Sequence, residues 1–244
     1  MKVKIIFLIV FVWFGDNLFA QQSSYNNSFI KTFGGAKEEC GLVAAETSDG
    51  EYIAAGYSDS FGNEGWTTYL FKLDNKGDTI WTFNYGASGT VPFHISEIDN
   101  NYLLGVNTHM EIVLLVIDST GKLLWEKNYS GKGTSIQKTT DDGFIIAGCV
   151  QGENGEGMDL YILKITSDGE FEWAKSYGGD EDEDANDVQQ TSDGGYLLFG
   201  TTRTYGAGSY DMYMIKTDSL GRAKGFGSND KTFCVETYFE IDEP

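Results

Sequence analysis

The side chains with the plainest capacity for chemistry are the carboxylates of GGDEDEDAND, where Asp180, Asp182, Asp184 and Asp187 stand among alternating acids. Acids two residues apart approach the spacing of a calcium loop, because a hard cation takes about six to eight oxygens at once. A Ca²⁺ site on Asp180, Asp182 and Asp184 is one expectation, and a solvated acidic loop is the simpler one. The run lacks the glycine at the sixth position and the glutamate at the twelfth that such a loop uses. The matching stretch GGAKEECGL, residues 34 to 42, carries a lysine. No other metal or cofactor is expected.

Catalytic patterns are sparse. His94 and His109 are the only histidines, each without a partner at metal-ligand spacing. Neither G-x-S-x-G nor a phosphate-binding glycine loop is present. A carboxylate pair for glycoside hydrolysis need not be close in sequence, so an extracellular polysaccharide-active enzyme stays open as the alternative. Large aromatics in polar loops are the other candidates: Phe61, Trp66, Tyr205 and Tyr210 could anchor a ligand such as a glycan, or fold back on their own sheets.

The elements that must position these residues are four imperfect repeats. In the third, residues 139 to 179, an Asp-Asp-Gly turn precedes FIIAG, an apolar run too short for a helix that suits a strand covered on both faces. A glycine-rich polar loop leads to DLYILKI, an SDG turn and FEWAKSY, whose alternation is that of a half-buried strand. With a short strand before the first turn, each repeat is a four-stranded antiparallel meander. The aromatic opening the second strand recurs as Tyr52, Tyr102, Phe144 and Tyr196. The later turn recurs as Gly77, Gly121, Gly169 and Gly221. Four residues beyond it stand Trp81, Trp125 and Trp173, with Gly225 in the last copy. Four-stranded units at this period of about 40 to 50 residues are the signature of propeller blades. The second repeat is the most degenerate, with EIDNN in place of the Asp-Gly turn and a clipped loop.

FIKTFGG, residues 29 to 35, matches WEKNYSG and WAKSYGG, the outer strands of the second and third repeats, while the fourth repeat has GRAKGF at that place. The sequence therefore predicts an all-β, propeller-like array of four four-stranded blades (residues 29 to 226), closed by strand 29–35 completing the last blade. The rival is an open or truncated array. The tail, residues 227 to 244, contains KTFCVETYFEI, which could add a strand.

Residues 1 to 20 place two lysines before ten apolar residues and end in Ala20, the pattern of a secretory signal peptide. Residues 21 to 28 are polar and expected to lie outside the fold. The formal charge is −20, and becomes −21 once residues 1–20, with two lysines and one aspartate, are removed. Such a charge argues against nucleic acid and anionic membrane as partners. The expected location is extracellular or periplasmic, without membrane insertion after cleavage, and with a protein or glycan partner. Three cysteines, Cys40, Cys149 and Cys234, leave at least one unpaired within the chain. Cys149 continues the apolar FIIAG run and reads as a small core residue.

The run YGGDEDEDANDVQQTSDGGYLLFGTTRTYGAGSYDMYMIKTDSLG, residues 177 to 221, resembles the repeat of secreted bacterial β-propeller proteins. Their blades read W-x-K-x-Y-G-G, D-x-A, then Q-T-x-D-G-G-Y-x-x-x-G and D-x-Y-x-I-K-x-D-x-x-G. The likeness covers residues 29 to 226 and is poorest in the second repeat. It implies an exported module, and the expected function is non-catalytic binding or scaffolding through the face that carries the long loops.

Overall fold

A computed structural model describes residues 28–62, 65–86, 88–152 and 157–224. The expected signal peptide, the polar stretch 21–27, Cys234 and the tail 227–244 lie outside the described residues.

The described chain is all-β. The first sheet holds β1 (Glu39–Glu46), β2 (Tyr52–Ser58), β3 (Thr67–Leu73) and β4 (Thr79–Tyr85) in chain order. The second repeats this order with β5 (Val91–Ile98), β6 (Asn101–Asn107), β7 (Glu111–Ile117) and β8 (Leu123–Ser130). The third does so with β9 (Lys132–Lys138), β10 (Phe144–Gln151), β11 (Met158–Ile165) and β12 (Phe171–Tyr177). The last has three strands, β13 (Glu183–Gln190), β14 (Tyr196–Thr202) and β15 (Asp211–Lys216). All pairings are antiparallel, as in a meander.

The sheets stack face to face in chain order, with one apolar layer at each junction. Ile53, Ala55 and Leu70 of the first sheet meet Tyr102, Leu104 and Leu115 of the second. Leu103, Ile112 and Leu114 of the second meet Phe144, Ile146 and Leu163 of the third. Ile145, Ala147, Leu160 and Ile162 of the third meet Tyr196, Leu198 and Ile215 of the last. Alternate residues of one strand thus serve opposite neighbours, which is why FIIAG is apolar without a break.

A recurrent contact keeps the blades in phase. Each outer-strand tryptophan lies over the turn glycine of the next sheet: Trp81 over Gly121, Trp125 over Gly169, and Trp173 over Gly221. These glycines have φ of 90°, 77° and 69°, so the position demands both the left-handed conformation and the absence of a Cβ, which would fall 3.1, 3.2 and 2.6 Å from the ring atoms. The ring also packs on the aromatic opening the next sheet's second strand, at 6.0 Å between centroids for Trp81 and Tyr102 and 5.7 Å for Trp173 and Tyr196.

The predicted closure is not what the structure adopts. Residues 29–35 form no ladder with β15 and lie on the first sheet, with Phe29 over Gly77 and 5.5 Å from Tyr52, Phe33 stacked 4.6 Å from Phe71, and Lys31 paired with Asp78 at 2.7 Å. The segment therefore sits on the first blade as each outer strand sits on the blade after it. Its apolar face, Phe29 and Phe33, finds that cover at once, whereas β15 lies at the far end of the stack. The last sheet accordingly has three strands, not four, and the array is open among the described residues.

Candidate functional site

The second-to-third-strand loops and the connections between sheets lie at one end of the stack and brace each other. Lys37 N donates to Ser60 Oγ at 2.8 Å, Gly89 N to the Trp66 carbonyl at 2.7 Å, Gly131 N to the Met110 carbonyl at 2.9 Å, and Glu181 N to Thr204 Oγ1 at 3.0 Å. In the second sheet this loop is only Thr108–Met110. The long loops belong to the first and last sheets, 59–66 and 203–210, and in the third sheet to 152–157.

The first and last loops are built on one plan that sequence reasoning missed. Glu39 and Glu183 each stand four residues after the second glycine of a Gly-Gly pair. Glu183, 1% exposed, accepts from Thr202 Oγ1 at 2.6 Å, Gly179 N at 2.9 Å and Thr204 N at 3.2 Å. Glu39 accepts from Ser58 Oγ at 3.1 Å, and the hydroxyls of Ser60 and Ser58 with the Gly35 amide hold its carboxyl below the usual range. The hydroxyl each glutamate engages in turn accepts two loop amides, Ser58 from Ser60 and Phe61, Thr202 from Thr204 and Tyr205. The signal was available: after Gly34-Gly35 and Gly178-Gly179, offset four is the one place where both copies carry a glutamate.

This plan sorts the predicted aromatics. Phe61 and Tyr205 are equivalent and lean on their own sheets, Phe61 stacked 4.7 Å from Tyr69 and Tyr205 5.5 Å from Tyr213, with the Tyr205 hydroxyl donating to the Gly178 carbonyl at 2.9 Å, although Tyr205 stays 37% exposed. Trp66 and Tyr210 are also equivalent, each just before its third strand, and face water: Trp66 is 44% exposed and Tyr210 63%. Trp66 stacks 4.8 Å from Tyr57, and Arg203 lies 5.4 Å from the Tyr210 ring. Each ring is thus supported on one side and open on the other.

The predicted acids disperse. Asp180 is exposed. Asp182 accepts from Met158 N and from Arg203 Nη1, both at 3.1 Å, tying the third sheet to the last. Asp184 turns inward on β13 against the Cys149 thiol. One of its oxygens lacks a hydrogen-bond partner, and burial raises its pKa. Asp187 sits further along β13 and accepts from Ser135 Oγ at 2.9 Å. Among the described residues no three His, Cys, Asp or Glu side chains form a group that could hold a metal ion, and from Glu183 onward the acidic run belongs to β13, which sends alternate side chains to opposite faces.

Cys149 is 6% exposed, its thiol pushed up to about 12 by burial and the adjacent Asp184 carboxyl, which suits the predicted core role; among the described residues Cys40 forms no disulfide either. His94 is partly buried, its pKa lowered to about 4 by desolvation, and shares a 3.0 Å hydrogen bond with Ser96. His109 is exposed in the clipped loop.

No family model matches the chain, and no curated protein matches it. Among solved structures it is similar to a protein of unknown function from Bacteroides caccae, at 13% identity and a TM-score of 0.45 over 75% of this chain and 65% of that one. It is similar to the Dos1 propeller at 13% identity and 0.47, over 78% of this chain and 49% of that one. A third is an endo-1,4-β-xylanase from Bacteroides thetaiotaomicron, at 12% and 0.45 over 77% and 72%. The chain thus spans 65% and 49% of the length of the first two. The stacked meanders themselves define the class, an all-β, propeller-like array.

Proposed function

We propose that the long-loop face is a non-catalytic binding surface of an exported protein, with Trp66 and Tyr210 as its anchors. The observation that carries this is the cluster of exposed rings on loops braced by Glu39 and Glu183: Tyr210 at 63%, Trp66 at 44% and Tyr205 at 37%, of which Tyr210 and Trp66 are the most open. Binding residues on loops set by a rigid scaffold are the common arrangement. Open aromatic faces among acidic and hydroxyl side chains suit a neutral carbohydrate, whose C–H faces stack on rings, better than an anionic polymer, which the charge of −20 repels.

The hydrolytic alternative draws less support. It needs one carboxyl kept protonated beside a second that is ionised, about 5 to 10 Å apart in a cleft. The carboxyl with a raised pKa, Asp184, faces a thiol inside the sheet stack.

Affinity electrophoresis in gels containing soluble neutral polysaccharides tests the reading. Retardation that is lost in Trp66→Ala or Tyr210→Ala, with an unchanged melting temperature, is expected. Release of reducing ends that stops in Asp184→Asn would instead establish the enzyme, and retardation unaffected by either aromatic substitution would move the binding surface elsewhere.

A further inference from the structure

The strand β15 is built for a neighbour that the described residues do not supply. Aligned on Lys72, Lys164 and Lys216, Met212 occupies the place of Thr68, Ile112 and Leu160, and Met214 that of Leu70, Leu114 and Ile162. Those six residues are 0% exposed, whereas Met212 is 83% and Met214 58% exposed. Phe199, 39% exposed, pairs with Met214 across the ladder on the same face. The bare face is therefore the one that the other three sheets present to the sheet that follows. Among the described residues β15 has no fourth strand beside it, only a single bridge from Thr217 to Ala223.

The missing parts exist at the opposite end of the same molecule. Residues 29–35 carry the outer-strand sequence and sit on the first sheet in the outer-strand place, with Phe29 in the role of Trp81, Trp125 and Trp173. Yet among the described residues they have no ladder partner, and Ile30 is 99% exposed. In the structure three sheet junctions separate this segment from β15.

We propose that a second copy of this chain fills the gap: its residues 29–35 become the fourth strand on β15, and its first sheet covers Met212, Met214 and Phe199. By the register of β11 with β12, Phe33 would lie opposite Met212, Thr32 opposite Tyr213, and Lys31 opposite Met214. Such a contact is head to tail, and two copies related by a two-fold axis satisfy both ends, so the ring closes instead of growing into a filament. Two arcs of four blades give eight, at the upper end of the common propeller range. Both unpaired edges disappear, which removes the usual hazard of an open sheet.

The test is a mixture of two purified full-length variants, Thr32→Cys and Tyr213→Cys, oxidised together. The expected product is a covalent dimer linked between positions 32 and 213, as read by peptide mass spectrometry, which can only come from pairing between copies. In sedimentation equilibrium the unsubstituted chain is expected at twice its 27.0 kDa. The Met212→Lys, Met214→Lys double variant is expected at the single-chain mass with an unchanged far-ultraviolet β spectrum. A link formed only inside the doubly substituted chain, at single-chain mass, would overturn the proposal in favour of a four-blade ring. No 32–213 link in either sample, with single-chain mass, would overturn it in favour of an edge covered by the chain's own residues beyond 224.

Discussion

β11 and β15 occupy the same place in two copies of one repeat, yet every residue from Leu160 to Leu163 is buried while Met212 and Met214 stand in water. The buried lysines tell the same story. Lys164, with a side chain 3% exposed, is held by Asp141 at 3.1 Å and Glu172 at 2.9 Å, the second acid coming from the fourth strand. Lys216 keeps the first of these contacts, to Asp193 at 2.9 Å, but with no fourth strand among the described residues its side chain is 44% exposed. Burial in this array is thus supplied by the next sheet and the outer strand, and the repeat sequence alone does not guarantee it.

The largest way to sharpen that contrast is truncation in the middle of the stack. Ile162→Ala is expected to cost about 4 kcal/mol in chemical denaturation of dilute protein, and Met214→Ala under about 1 kcal/mol; equal losses would break the comparison. Next comes pH. His94 is neutral when folded, with a pKa lowered from 6.5 to about 4, so the unfolded chain takes up its proton first as pH falls. Its contribution is complete above pH 6.5, and up to about 3 kcal/mol is lost between there and pH 4. The stability difference between the parent and His94→Gln should therefore shrink across this interval, and a difference that does not vary with pH would count against a partly buried, neutral His94.

Removing both acids at Lys164, in Asp141→Ala with Glu172→Ala, strands a buried ammonium and should cost about 2 kcal/mol, on the low side because the acids are open to water. Lys164→Val should cost less than about 1.5 kcal/mol, since Val116 fills that place in the second sheet. The smallest effect concerns the outer strands. The Tyr129 hydroxyl donates to the Gly169 carbonyl at 2.5 Å, a bond that Phe33, in the same place on the first blade, does without. Tyr129→Phe is expected to lower the unfolding free energy by about 1 kcal/mol, as read in urea titration.

What was legible in the sequence follows from locality. The strands and the phase of tryptophan on glycine could be read because a turn with φ near +80° and a ring above it impose residue types at fixed spacing. Even the irregular turn of the third repeat fits, since Asp142, at φ 66°, takes the left-handed place that Gly50 and Gly194 hold elsewhere. The destination of residues 29–35 was not legible. FIKTF specifies an outer strand, but the choice between β15 and the first sheet depends on distances across the whole stack. The separate roles of the acidic run were not legible for a related reason. Asp180, Asp182, Asp184 and Asp187 look alike in sequence, but the ladder beginning at Glu183 sends Asp184 to a thiol and leaves Glu183, unremarked, to brace the loop. Of the four loop aromatics, Trp66 and Tyr210 are the most open, each directly preceding a third strand, a position that became visible only with the register.

The most direct measurement of the central claim, that a neighbouring sheet and not the repeat itself buries the third strand, is a pair of charge substitutions at one aligned position. In protein dilute enough to be single chains, Ile162→Lys should abolish cooperative folding, as an unpaired charge placed in a closed apolar layer must, while Met214→Lys should leave the urea midpoint within experimental error of the parent. A Met214→Lys chain that unfolds like Ile162→Lys under those conditions would contradict the account.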